Sequence, residues 1–355
     1  MTDQQPHILW DWGTAYDLFA SLHVLHHPAK FGLRGSWAAG VRSRLAPPQR
    51  TVLEDAQELF FQSPLVWVSN LPEPKDAATV IHALEGMAPA ERLPDLSFHL
   101  GVSSEIVETL KEVSARGAWT NADLNHLQQL HQQKGLQAGS NRLVIMLDWW
   151  SRLDEFGERY LAALQAYVEN FYIEEERRIK PYLQGALVKA QELSSRLDFP
   201  RLMVELTQGV KISALEEADE VIFVPSYWTT PLVMYDRAFE KHWVVLFGAR
   251  PADVSLVPGA VVPDAMLLAL KALSDPTRLL ILRYLSEQPQ TPSQLARRLR
   301  LRAPTVVHHL SALRLAGLVY ISLEEEEEKR YTVRDTAVED TYASLHRFLA
   351  VTGDK

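Results

Sequence analysis

The chain has 355 residues, 47% of them hydrophobic and 23% charged, with a formal net charge of -9 and no cysteine. That length suits two or three domains with packed cores, and the missing cysteine excludes disulfides, thiolate metal sites and cysteine nucleophiles. There is no apolar run of about eighteen residues to cross a bilayer, and MTDQQPHILW lacks the basic patch and apolar core of a secretory signal, so the expectation is a cytoplasmic protein with no membrane partner.

Along the first 205 residues the pattern is mainly helical. Thr14 to His26 is apolar at near-helical spacing, and Thr120 with Asp123 forms a capping pattern before DLNHLQQL. The stretch from Leu143 to Leu197 predicts two helices, the second opening near Pro181, with Glu174 to Arg178 as a solvated face. His23 and His27 share a helix face, but no third ligand is placed beside them, so they read as packing or surface histidines. Then the texture changes. Val210–Leu215, Glu220–Ser226 and His242–Gly248 are short and β-branched or aromatic, which predicts a small antiparallel sheet on the helical body. Arg250 to Pro263, with three prolines and a glycine, reads as a linker. The predicted class is mainly α with small β elements (α+β): a helical N-terminal domain over residues 1–255 and a second domain over residues 264–351.

The second domain is legible residue by residue. After an apolar helix from Met266 to Leu273, Asp275 supplies an N-cap with Pro276 at the first helical position. Thr291 and Gln294 form a capping box for the helix Pro292 to Leu299. A turn over Arg300 to Arg302 leads into Ala303 to Ala316, and Gly317 supplies the left-handed stop. Val306, Leu310 and Leu313 make one apolar face of that helix. Pro304, Val307, His308 and Ser311 make the other, with Ala303 and Arg314 beside them. Two strand patterns, Gly317–Leu323 and Lys329–Arg334, then predict a hairpin wing, followed by an amphipathic helix over Thr336 to Leu349. This is a winged helix-turn-helix, whose second helix enters the DNA major groove.

Charge distribution removes the objection raised by the acidic total. Residues 1–263 carry 23 Lys plus Arg against 33 Asp plus Glu, whereas Thr291 to Gly317 carries five Arg and no acid. A local basic surface is what phosphate binding requires. The predicted DNA-binding residues are Ser293, Arg302, Ala303, Thr305, Val307, His308, Ser311, Arg314, Lys329 and Arg330.

KALSDPTRLLIL, SQLARRL and APTVVHHLSALRLAGLV, in this order and spacing, resemble the ArsR family of bacterial winged-helix regulators. The resemblance covers about 85 residues. It implies a homodimer joined through the module's first and last helices, near 265–273 and 336–349, and a recognition helix at about 303–315. Three features depart from the family pattern. Ala303 and Val307 stand where polar residues are usual, so they can touch a thymine methyl but cannot hydrogen-bond a base edge; readout then rests on Thr305, His308, Ser311 and DNA shape. The helix SQLARRL lacks the cysteine metal motif of the arsenic and cadmium sensors. The wing tip, Glu324 to Glu328, is five carboxylates that repel phosphate unless it is directed away from the DNA or toward a basic patch. His308 and His309 point about 100° apart on a helix and do not readily serve one metal ion.

All nine tryptophans lie before residue 244. They read as core, or else as an aromatic-lined pocket for a small-molecule effector, with Trp10, Trp12, Trp37, Tyr227 and Trp228 as its candidates and Ser226–Pro231 as its rim. The stretch from Gly13 to Leu45 also resembles the helical domain preceding the winged helix in other bacterial regulators, which carries no activity with it. No phosphate loop, HExxH or GxSxG motif is present. The expectation is therefore a homodimeric DNA-binding repressor with no cofactor and no metal, not an enzyme. An architectural or protein-interaction role is the alternative, and an enzyme fused to a DNA-binding module would need Asp11, Asp17 and Asp148 to converge in a deep pocket.

Overall fold

The computed structural model describes residues 5–60, 64–97, 103–133, 139–259, 262–323 and 329–350. The helix Thr14–His26 lies at its centre. Eleven of its 13 residues are buried, the signature of a helix enclosed on all sides rather than laid on a surface. Around it pack the helices Gly35–Arg42, Pro47–Leu59, Ala77–Gly86 and Ile173–Ser194, all contributing to one large apolar core.

Leu153–Tyr167 continues through a π-helical turn, Val168–Tyr172, into Ile173–Ser194. Pro181 therefore lies inside the second helix and does not open it. Proline forfeits one backbone hydrogen bond there, but Ile179 and Leu183 on either side of it are fully buried. The expected solvated face is also only half right. Glu174 and Arg177 are exposed, but Glu175 is buried and paired with Arg178 at 2.5 Å. Glu176 accepts from Thr14 Oγ1 and from the Ala77 amide, at 2.5 and 2.9 Å.

Two sheets flank the helices. The first, in the order β1 (His7–Trp10), β3 (Glu220–Ser226), β5 (His242–Gly248) and β4 (Met234–Phe239), is mixed, not antiparallel. β1 with β3 and β3 with β5 run parallel, and only the β4–β5 hairpin is antiparallel. A parallel pair needs a crossover, and most of the helical body is the crossover between β1 and β3. The second sheet has the order β2 (Val210–Ile212), β6 (Val319–Leu323) and β7 (Arg330–Val333). Here β2 leaves the body and pairs parallel with β6. Val210–Ile212, expected in the body's own sheet, thus belongs to the wing.

β2 is held close by Gly209, which has a φ of +86°. A Cβ at that position would lie 1.6 Å from the Tyr320 ring, so only glycine meets both the backbone and the packing requirement. The segment after Arg250 has no helix or strand among its described residues, yet it is fastened down: Leu256 is buried, and its amide donates to Asp264 at 2.8 Å.

Candidate nucleic-acid interface

The last unit has its own core, built from Ile281, Leu285, Leu295, Val306, Leu310, Leu313 and Tyr331 among others. Its helices run Asp264–Leu273, Pro276–Glu287, Pro292–Leu299, Ala303–Leu315 and Ala337–Ala350. The capping chemistry is as the residues predict. Asp275 accepts from the Arg278 amide at 2.9 Å, and this bond holds its carboxyl below the usual carboxylate range. The Thr291–Gln294 capping box is closed in both directions, at 3.2 and 2.8 Å. Arg300 adopts a left-handed conformation in the turn. Gly317 does the same at the end of the recognition helix, with a φ of +68°. The following Leu318 amide then donates back to Leu313 at 3.0 Å.

These turns leave one face of Ala303–Leu315 in solvent. Ala303, Pro304, Thr305, Val307, His308 and Ser311 are exposed, and Val307, at 44%, is one of the more exposed large apolar side chains. The Ser311 hydroxyl donates to the Val307 carbonyl at 2.8 Å. Arg302 at the start of the helix, Arg297 and Arg300 before it, and Lys329 and Arg330 at the base of the wing are exposed as well. Ser293 is half-buried at the first turn of the preceding helix. His309 is tucked inward, with Nδ1 4.0 Å from Asp275, while His308 faces out. The acidic tip Glu324–Glu328 lies outside the described residues.

Arg314 departs from the expected DNA-facing set. It is only 7% exposed, and its guanidinium donates to the carbonyls of Thr207 and Gln208 in the body, at 3.2 and 3.4 Å. Burial pushes its pKa down to about 10. Helical spacing alone puts Arg314 one turn beyond Ser311 near the open face, but the body covers that last turn.

The aromatic candidates each pack against other side chains of the body. Trp228 is fully buried, stacked on Trp37 with ring centroids 6.3 Å apart. Trp10 packs on Phe223 at 5.7 Å, and Trp12 lies against the main core. Tyr227 is buried with its hydroxyl accepting from Arg178 at 2.7 Å. The segment after β3 is pinned by Asp17, which accepts from Ser226 Oγ and from the amides of Tyr227 and Trp228, at 2.7, 3.0 and 2.8 Å. Asp17 is fully buried, and desolvation outweighs these bonds and pushes its pKa up to about 6. Asp11 is held by Lys75 and Tyr16, and Asp148 by Trp119. His23 and His27 stack at 4.4 Å, and burial pushes His23 down to about 4. Among the described residues no three His, Cys, Asp or Glu side chains are grouped to hold a metal ion, and no helix is long and apolar enough to cross a membrane.

The family profile described as "Bacterial regulatory protein, arsR family" matches residues 275–320. A solved structure, "ArsR-like Transcriptional Regulator from Rhodococcus sp. RHA1", is similar at 34% identity over 24% of this chain and 80% of its own, with a TM-score of 0.22. A comparison with curated proteins finds no match. Over residues 275–320 the chain thus carries an ArsR-type helix-turn-helix, the DNA-binding unit of a transcription regulator.

Proposed function

We propose that the protein is a homodimeric, cytoplasmic transcriptional repressor that occupies its operator through one recognition helix per subunit, and that the helical body answers to a small-molecule effector. The observation that carries this reading is the solvent-facing surface of Ala303–Leu315, where Thr305, Val307, His308 and Ser311 stand between the exposed Arg302 and the wing's Lys329 and Arg330. Base edges are met by the former group and phosphates by the latter. A second copy is supported by the last helix. Val338, Tyr342 and Leu349, with Leu345 half-buried among them, form one apolar stripe, and the first three are 37%, 54% and 59% exposed. Helical spacing of 4, 3 and 4 residues puts all of them on one face.

The test is operator selection from random duplex DNA with the full-length chain. A palindromic site with half-sites about one helical turn apart supports the proposal. Binding that is indifferent to sequence rejects it in favour of an architectural role.

A further inference from the structure

Between the helical body and the winged module lies a cleft of about 800 Å³. The body supplies one wall, through Tyr182, Ala186 and Leu193 of the long helix together with Leu206 and Phe247. The module supplies the other, through Met266, Leu268 and Ala269 of its first helix and Leu315 of the recognition helix. Clefts of roughly 300–1,000 Å³ with apolar walls and few polar groups suit small organic molecules, and they occur preferentially where domains meet. No tryptophan lines this cleft; Trp228 packs instead between Trp37 and Phe171, with ring centroids 6.3 and 6.0 Å away.

The polar groups of the cleft narrow the chemistry. Lys189, Arg250 and Arg334 are matched in formal charge by Glu205, Asp264 and Asp340, so neither an anion nor a cation finds surplus charge. Arg250 meets Asp264, and Arg334 meets Asp340, each at 3.5 Å. What remains is a surplus of donors. The Nε atoms of Arg250 and Arg334 have no acceptor among the described residues, and the Arg250 side chain is only 8% exposed. The Arg250 Nη2 donates to the Thr230 carbonyl at 2.7 Å and Nη1 to the Val254 carbonyl at 3.4 Å, so Nε is its unmet donor; a buried donor without an acceptor is costly, and an incoming acceptor relieves that cost.

We propose that this cleft binds a neutral, mainly apolar small molecule carrying a hydrogen-bond acceptor such as a carbonyl oxygen. The proposal rests on the reading of the chain as an effector-responsive regulator and assigns that effector a place and a class. A ligand spanning both walls bears on the orientation of the recognition helix, because the two walls are also joined by the β2–β6 pairing and by Arg314 on Thr207.

Nile red, a neutral planar dye with a ring carbonyl, is the probe, and its fluorescence is titrated with the full-length chain. Saturable binding at one site per chain is expected. It should weaken at least tenfold in Ala186→Trp and in Ala269→Trp, which fill the cleft from opposite walls, with folding checked by a cooperative melt. If the buried Ala269 variant does not fold, Ala186→Trp decides. Tyr342→Glu combined with Leu349→Glu removes the exposed stripe and should leave dye binding unchanged. Non-saturable binding, full affinity in the filled variants, or loss of binding with the stripe would overturn the site. Equal competition by the anion anilinonaphthalene sulfonate would overturn the neutral class. Operator affinity is measured separately: dye binding without specific DNA binding rejects the regulator reading and keeps the cleft, and the converse rejects the cleft alone.

Discussion

The Nη2 of Arg314 donates to the Thr207 carbonyl at 3.2 Å across 107 residues of chain, fastening the last turn of the recognition helix to the helical body. The side chain with the most obvious claim to a phosphate is therefore a structural tie. The recognition helix is not presented by a free module but is held from behind.

This tie separates two arginines on the same helix-turn-helix. Arg314→Ala leaves two backbone carbonyls without their donor and should lower unfolding stability by about 1–3 kcal/mol. Arg302→Ala should leave stability within about 0.5 kcal/mol but weaken binding to all DNA sequences and reduce the salt slope by about 1. Chemical denaturation and salt-dependent binding isotherms check the pair. Equal effects of both substitutions on DNA binding, at unchanged stability, would return Arg314 to the interface.

Gly209 offers a second check on the same junction. Gly209→Ala places a methyl group against the Tyr320 ring and forces a non-glycine residue to a φ of +86°. Strain at such a backbone position costs on the order of 1–3 kcal/mol before the clash is added. Pairing the change with Tyr320→Ala should recover the steric part but not the backbone part. A double variant no more stable than Gly209→Ala would mean that the ring contact is not what fixes β2.

Asp17 makes stability depend on pH in a direction opposite to that of most carboxylates. Its folded pKa is raised to about 6, above its ordinary unfolded value of about 3.9. The folded state therefore binds the proton more tightly, and its burial penalty is complete above about pH 6. Stability relative to Asp17→Asn should rise as pH falls from about 6 to about 4, by up to about 1.4 kcal/mol per pH unit. Asparagine cannot accept from both Tyr227 and Trp228 as well as Ser226, so the variant carries a pH-independent loss too. Urea melts at several pH values give the difference curve; a flat one would place the charge on another group.

Base readout is tested on Thr305 and His308, the exposed polar side chains best placed to reach base edges. Replacing either with alanine should relax preference at one or two operator positions, costing about 1–3 kcal/mol against the selected site and little against unrelated DNA. Val307→Ala should matter only where a thymine methyl faces it. Comparison of the selected-site profiles for each variant measures this directly.

Tyr342→Glu with Leu349→Glu should convert the proposed dimer into monomers by sedimentation. Operator affinity should fall by at least tenfold through loss of the second recognition helix. A chain that is monomeric before substitution contradicts the dimer.

The sequence by itself determined the winged helix almost to the residue. Asp275, Thr291 with Gln294, and Gly317 act on backbone groups three or four residues away, and Val306, Leu310 and Leu313 follow a period set by the helix alone. Signals of that range survive in a linear reading. Other features depend on partners far along the chain. The burial of Arg314 needs Thr207 and Gln208, the buried Glu175 and the bonds of Glu176 to Thr14 and Ala77 need the body folded around them, and the parallel direction of β1 and β3 is set by a crossover of some 200 residues. The polar residues Asp236 and Arg237 interrupt the apolar run of β4, which becomes a strand only because β5 lies beside it. The five aromatic candidates were recognisable as large apolar residues, but whether they line a pocket or fill a core depends on what stacks against them. For the DNA-facing surface, then, local periodicity chose the helix and its face, and only the tertiary structure decided how far along that face the solvent reaches.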